Sequence, residues 1–214
     1  MSILFSIVAF AVAITIHEAA HAWMADRLGD PTARLAGRLS LNPLVHVDIY
    51  GTILIPLILI LLGSPFVFGW AKPVVFDPYN LKNPRSDSAL ISLAGPLSNL
   101  LLATFFSLIL RIYSSPFSPL TVFSSLIYPL IIINVALAVF NLIPIHPLDG
   151  GKILIGLLPP ETARKVDLFL NRYGLILLLF LIFPIFTGRS ALSLYLYPVV
   201  SFLLSILLPG NPII

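Results

Sequence analysis

The residues best suited to chemistry lie in the first apolar stretch of the 214-residue sequence, as His17-Glu18-Ala19-Ala20-His21. In a helix, residues four apart share a face, so both imidazoles are directed to one side and can bind one metal ion. Glu18 lies beside them and can reach a metal-bound water without being a ligand, while Ala19 and Ala20 let another element approach closely. This HExxH spacing on a helix predicts a zinc site.

The alternative interpretation is a pair of helix-surface histidines that bind no metal. It is weakened by the setting, because three ionisable groups on one turn of a lipid-embedded helix cost several kcal/mol unless something compensates them. A bound metal ion is the simplest compensation. The donor set does not by itself select zinc, since two histidines and a carboxylate also suit iron or cobalt.

A catalytic zinc site needs a third protein ligand. Asp149 is the best candidate, because it ends a long uncharged run, follows the helix-breaking Pro144 and Pro147, and precedes two glycines that permit a close approach. It could instead cap the helix that follows, over residues 152–158. His146 is a rival ligand that we expect to line the site or to hydrogen-bond substrate, and His46 is expected to be structural.

The composition indicates a membrane protein. Hydrophobic residues make up 58% of the chain, charged residues 10% and the mean hydropathy is +1.04, whereas a globular protein is about 25% charged. These values exclude a water-soluble enzyme and a disordered chain. The net charge of +3 comes from scattered basic residues, so we expect no nucleic-acid partner. The chain has no cysteine, which excludes disulfides and thiolate zinc sites.

Five apolar stretches are predicted to cross the bilayer as helices, because a span needs roughly 20 apolar residues. The fourth is short, but it can extend back to Asp167. The predicted spans are Ser2–Trp23, Ser88–Leu110, a helix that starts near Phe123, Gly174–Thr187 and Ala191–Leu208.

A sixth apolar stretch is predicted to enter the membrane without crossing it. Gly51–Leu62 has only 12 residues, which as a helix measure roughly 18 Å. Gly63-Ser64-Pro65 then provides a turn, and the aromatic and β-branched stretch Phe66–Phe76 favours an extended strand. We therefore expect a re-entrant, β-like hairpin that packs against protein or a watery cavity.

The basic residues support this topology. If the hairpin does not cross, ten of the twelve Lys and Arg residues lie on one side, within 27–50, 72–87 and 152–172. Only Arg111 and Arg189 lie on the other side, and counting the hairpin as a span would remove this asymmetry. The positive-inside rule then places the N-terminus outside, the C-terminus in the cytoplasm and the motif-bearing helix ends towards the cytoplasm.

Three motifs occur in an order that resembles a known family. His17-Glu18-Ala19-Ala20-His21 is followed by Gly95-Pro96-Leu97-Ser98-Asn99, and then by a segment in which Asn141, Pro144 and Asp149-Gly150 are spaced as NxxPxxxxDG. The chain resembles the site-2 proteases, polytopic zinc metalloproteases with HExxH, GPxxN and NxxPxxxxDG motifs that cleave substrate helices within the membrane. The stretch 68–74 also looks like the segment that precedes GPxxN in compact members. The resemblance covers about residues 5–155.

The resemblance implies that His17, His21 and Asp149 hold one zinc ion, that Glu18 is the base and that Asn99 lies beside the site. The sequence departs from the family in having His146 where proline is common, and it shows no PDZ or CBS domain. The residues expected to line the active site are Asn99, His146, Asn141, Gly95 and Pro96.

The sequence thus predicts an all-α polytopic membrane protein with five to six transmembrane helices and a membrane-embedded β-like hairpin. We expect a single metalloprotease domain over 1–214, with core motifs in 5–155 and C-terminal helices in 164–208, in a prokaryotic cell membrane. Its substrate would be a transmembrane-helix protein. The competing hypothesis is a metal transporter or scaffold without hydrolysis, but such a protein needs no unligated Glu18, and transporters often show repeated halves that this sequence lacks.

Overall fold

The structure is a computed structural model that describes residues 3–55, 58, 61, 72–113, 121–183 and 190–209. These residues are mostly helical, and they contain no strand. Short 3-10 turns lie at Pro43–Val45 and Pro78–Asn80, and a π-helical turn lies at Ile49–Leu54. The α-helices are α1 (Ile3–Leu28), α2 (Thr32–Leu35), α3 (Pro84–Tyr113), α4 (Thr121–Asn141), α5 (Asp149–Leu157), α6 (Pro160–Ile182) and α7 (Ala191–Leu207).

Three helices among the described residues are long and apolar enough to cross a membrane: Leu4–Leu28 in α1, Pro84–Ile112 in α3 and Ser124–Asn141 in α4. The apolar α7 has only 17 residues, and α6 begins with a charged half that extends further back than the predicted fourth span. The polytopic, helical character is therefore confirmed, and the full count of five to six spans stays a prediction.

Helix α1 packs through small residues. The buried positions that it presents to its neighbours α3 and α4 are dominated by alanine, including Ala9, Ala13, Ala22 and Ala25, all fully buried. Small side chains let helix backbones approach closely, which is how helices associate where lipid supplies no hydrophobic driving force. This close approach brings the histidines of α1 against α3.

A second apolar cluster joins α3, α4 and α7. Its buried members include Ala103 of α3, Ile131 and Val135 of α4 and Leu204 of α7. A smaller cluster packs the end of α6 against the chain between α4 and α5, through Leu178, Ile182 and residues 143–148. Together these clusters fix the position of the segment that leads into α5.

The predicted hairpin falls mainly outside the described residues. Its first arm begins as the π-helical turn, where Asp48 accepts a hydrogen bond of 2.7 Å from the Gly51 N–H. The turn at 63–65 and residues 66–71 of the second arm are not described. Residues 72–77 have no regular secondary structure, so the strand predicted over 66–76 is not confirmed.

Asp30 joins the end of α1 to the chain that precedes α3. Gly29 ends the helix with a φ of +109°, and the fully buried Asp30 follows it. Asp30 accepts hydrogen bonds from the Asp77 N–H at 2.7 Å and from the Asn80 side-chain amide at 2.8 Å. It also accepts from the backbone N–H and hydroxyl of Thr32. We name residues 72–77, which run from here towards the histidines, the inner segment.

Candidate metal centre

The structure brings the side chains of His17, His21 and Asp149 together. The Nε2 atoms of the two histidines are 3.1 Å apart, and they lie 3.1 Å and 3.3 Å from Asp149 Oδ2. Both histidines are buried. Within the described parts of the chain, this is the cluster of histidine and carboxylate groups whose geometry suits a metal ion.

The other ring nitrogen of His17 is held by a buried amide network. His17 Nδ1 lies 2.6 Å from Asn99 Oδ1, while Asn99 Nδ2 donates to Ala13 O at 3.0 Å and to Asn134 Oδ1 at 2.7 Å. Asn134 Nδ2 in turn donates to Leu130 O. Because both donations fix the orientation of the Asn99 amide, its oxygen must face His17. His17 Nδ1 therefore carries a proton, and in the neutral ring Nε2 keeps its lone pair.

His21 is oriented in the same way by a backbone carbonyl. Its Nδ1 lies 2.7 Å from Ile91 O on α3, so this ring also carries its proton on Nδ1. The neighbouring Pro96 has no N–H for the carbonyl of Ser92, which loosens the hydrogen bonding of α3 at this level. Gly95 lets the two rings lie on the helix, since a Cβ there would be 2.5 Å from His21 and 2.7 Å from His17.

These contacts direct three electron-pair donors at one point. In the neutral form of each ring, the Nε2 atom therefore carries no proton, and Asp149 Oδ2 is buried without a hydrogen-bond donor among the described residues. Three such atoms repel one another unless a cation lies between them. Ligands at about 2.0–2.1 Å from a tetrahedral zinc ion lie about 3.3–3.4 Å from one another, close to the 3.1–3.3 Å observed here. The residues therefore fit zinc.

Asp149 reaches this point because two glycines follow it. The helix α5 begins at Asp149, with Leu148 in the N-cap position. A Cβ on Gly150 would collide with the carbonyl oxygens of Leu142 and Ile143, and one on Gly151 would lie 2.8 Å from His146 Nδ1. The Asp-Gly-Gly sequence thus lets the start of α5 pack directly on residues 142–146, which follow α4.

Glu18 lies beside the cluster and does not belong to it. It is half-buried, and its Oε2 accepts a hydrogen bond of 3.1 Å from the Val74 N–H of the inner segment. The carboxylate is thus held beside the three donor atoms, while one of its oxygens contacts the inner segment. This placement suits a proton acceptor that is not a metal ligand.

The remaining residues proposed from the sequence lie outside the cluster. His146 Nε2 is 3.3 Å from Asp167 Oδ1 on α6, and Asn141 Nδ2 donates to Leu137 O of its own helix. His46 is buried with its Nε2 2.9 Å from Ser40 O, as expected of a structural residue. Sequence reasoning missed Asn134 and Lys152. An amide side chain in the middle of the apolar helix α4 was the signal for Asn134, and nothing in the sequence alone distinguished Lys152.

Comparison with known proteins gives a consistent result. The family model described as Peptidase family M50 matches residues 5–119 and 111–181. The curated relatives carry the name "Putative zinc metalloprotease". YwhC of Bacillus subtilis is 39% identical over 180 residues, which cover 82% of this chain and 78% of YwhC. Rip2 of Mycolicibacterium smegmatis is 34% identical over 155 residues, 72% of this chain and 58% of Rip2. No solved structure matches the chain.

Proposed function

The chain belongs to peptidase family M50, the site-2 protease family, and from this premise we propose which of its residues carry out the reaction. Membership makes it an intramembrane zinc metalloprotease, an integral membrane protein that acts on membrane-protein substrates in a lipid bilayer. We assign His17, His21 and Asp149 as the zinc ligands and Glu18 as the general base.

One observation carries this assignment. Three electron-pair donors converge within 3.1–3.3 Å, and both histidines have their other nitrogen fixed by an oxygen acceptor. Such outer contacts orient metal-binding histidines and raise their basicity. Zinc at a site of this kind supplies an acidified water and polarises the scissile carbonyl group.

Glu18 has the position that the proton transfers require. As general base it takes a proton from the attacking water, and as general acid it returns that proton to the departing amine. Asn99 keeps the lone pair of His17 directed at the site. Gly95 and Pro96 shape the surface of α3 on which the imidazoles lie, and His146 and Asn141 support the segment that delivers Asp149.

The inner segment is our candidate for contact with substrate. The carbonyl groups of a helical substrate are hydrogen-bonded, so the helix must unwind before cleavage. An extended segment can hold the unwound chain by pairing backbone groups with it. Residues 66–76 form this edge in our proposal, and the Val74 N–H at Glu18 supports it.

The finer topology also belongs to the proposal. It comprises a single domain over 1–214, five to six spans, a hairpin that turns at 63–65 without reaching the outer face, and an N-terminus outside a prokaryotic cell membrane. The ten-to-two distribution of Lys and Arg supports it. Cysteine introduced at Ser64 should resist an impermeant thiol reagent added outside, whereas cysteine at Arg111 should react. Equal labelling at both positions would overturn this topology.

A metal transporter or scaffold accounts less well for the site, because neither needs Glu18 beside the donor cluster and outside it. The test is purification in detergent, metal analysis, and incubation of the reconstituted protein with a panel of single-span membrane proteins. We expect one zinc ion per chain and cleavage that a chelator abolishes and added zinc restores. Zinc binding with no cleavage of any panel member would favour the transporter or scaffold.

A further inference from the structure

Lys152 is a half-buried lysine close to the proposed site that the mechanism above does not use. It lies on α5 three residues after Asp149, so the two side chains share one face of the helix. Its Nζ lies 4.7 Å from the centroid of the Phe76 ring. This contact places the ammonium group against the inner segment.

The charge of Lys152 interacts with two carboxylates, those of Asp149 and Glu18. Within the described chain, however, the ammonium forms no salt bridge with either. Partial burial of an ammonium group is unfavourable unless its hydrogens find acceptors. The contact with an aromatic ring offsets only part of this cost. Among the described residues, no acceptor takes up its donor hydrogens, so they can meet an acceptor on a bound substrate.

The inner segment contacts both Glu18 and Lys152, at positions two residues apart. The Val74 N–H contacts Glu18, and the Phe76 ring contacts Lys152. Residues two apart in an extended chain point to the same side. The burial pattern agrees, because Val74 and Phe76 are partly buried, whereas Val75 between them is 66% exposed. A peptide lying alongside residues 74–76 would thus lie close to both Glu18 and Lys152.

We propose that the Lys152 ammonium donates a hydrogen bond to the scissile carbonyl oxygen as that oxygen gains negative charge. This inference rests on the proposed proteolytic function and deepens it. In the reaction, the water oxygen bonds to the carbonyl carbon and the C–N bond then breaks. Glu18 carries the water proton to the leaving nitrogen. Lys152 keeps its proton throughout and stabilises the charge that develops between these two events.

The test compares Lys152→Gln, Lys152→Arg and the matched control Lys165→Gln, whose lysine is exposed on α6. For Lys152→Gln we expect kcat to fall about 10²–10³-fold, as for removal of one oxyanion donor. We expect KM to change less than about threefold, because the bond forms only in the transition state. Zinc content should be unchanged, Lys152→Arg should recover part of kcat, and Lys165→Gln should match the wild type.

A second measurement is independent of turnover. A peptide phosphinate with the substrate sequence carries a tetrahedral anionic group in place of the scissile bond, and such analogues bind through transition-state contacts. Its affinity should fall by about the same factor as kcat in Lys152→Gln, and it should not fall in Lys165→Gln.

Unchanged kcat in Lys152→Gln, a rise in KM alone, or loss of zinc from that variant would each overturn the proposal. So would phosphinate affinity equal to that of the wild type. The wild type in the same assay separates this inference from the proposed function. If the wild type binds zinc and cleaves nothing, the proteolytic function fails. If it cleaves while Lys152→Gln cleaves equally well, only the role of Lys152 fails.

Discussion

The donor cluster and the inner segment lie in contact, yet they are held in opposite ways. In the cluster, the Nδ1 atom of each histidine is hydrogen-bonded to an oxygen of α3, and Asn99 makes three hydrogen bonds. The inner segment has no regular secondary structure and touches its surroundings through single contacts. They include hydrogen bonds from the Lys72 N–H to His46 O, from the Val74 N–H to Glu18 and from the Asp77 N–H to Asp30, and the contact of the Phe76 ring with Lys152.

The difference corresponds to two tasks. Metal ligands must stay within a few tenths of an ångström of their positions, and the hydrogen bonds to α3 hold the two histidine rings in this way. A segment that receives an unwound substrate needs backbone groups that are not already committed to a sheet. Glu18 belongs to both regions, because it lies one residue from a proposed ligand and accepts its hydrogen bond from the segment.

Glu18→Gln should have the largest effect on activity and almost none on the donor cluster. Because Glu18 is assigned as the base, we expect cleavage to fall at least about 10²–10⁴-fold, while zinc content stays unchanged. Glu161→Gln is the matched control, since Glu161 is exposed at the start of α6 and is the other glutamate of the chain. Stoichiometric loss of zinc in Glu18→Gln would place Glu18 inside the cluster and remove the distinction between the two regions.

Asp149→Asn should weaken the cluster itself. A neutral amide is a poorer ligand for a divalent ion than a carboxylate. Loss of a residue that only hydrogen-bonds a metal ligand lowers metal affinity about 10–100-fold. Because Asp149 is assigned as a ligand itself, its substitution should lower zinc affinity by at least that factor. Competition with a chelator measures it. Asp26→Asn is the control, because Asp26 makes an exposed ion pair with Arg34. Full zinc occupancy with normal activity would instead direct attention to His146 as a ligand.

Asn99→Leu tests whether the hydrogen bonds around the cluster maintain it. The substitution removes the acceptor that fixes the proton of His17 and leaves Asn134 Oδ1 without its donor. We expect zinc affinity to fall about 10–100-fold, with Asn171→Leu as an exposed control. Unchanged affinity would mean that helix packing alone orients His17.

The cluster and the segment also differed in how far the sequence predicted them. The spacing of His17 and His21 follows from helix geometry, and the family resemblance, the zinc and the proteolytic function are confirmed by the comparisons. The side chains that form the hydrogen-bond network of His17 depend on the relative positions of α1, α3 and α4. Helical periodicity does not determine these positions. Asn134 was therefore missed. The path of the inner segment depends on long-range contacts, and a strand propensity calculated from its residues alone does not account for them.

Val74→Pro acts on the segment at its contact with the base. Proline has no N–H, so the hydrogen bond to Glu18 is lost. A hydrogen bond to a charged group contributes about 1.5 kcal/mol or more, so activity should fall about tenfold with zinc content preserved. Loss of zinc would show that the segment supports the cluster, and full activity would show that the contact has no catalytic consequence.

Asp30→Asn should have the smallest effect, because it acts on the far end of the segment. Burial alone would raise the pKa of Asp30, but hydrogen bonds from Thr32, Asn80 and the Asp77 N–H hold that pKa below its ordinary value. A carboxylate whose pKa is lower in the folded state stabilises the fold at neutral pH. That contribution is lost as the pH falls below about 4, through the folded-state pKa.

We therefore expect the free energy of unfolding in detergent to be about 1–3 kcal/mol lower for Asp30→Asn than for the wild type at neutral pH. The gap to the wild type should close on acidification, and activity should fall only a few-fold with zinc retained. A gap that stays constant with pH would mean that the charge of Asp30 does not anchor the segment. The shape of its side chain would then hold the segment, and the two regions would share one kind of support.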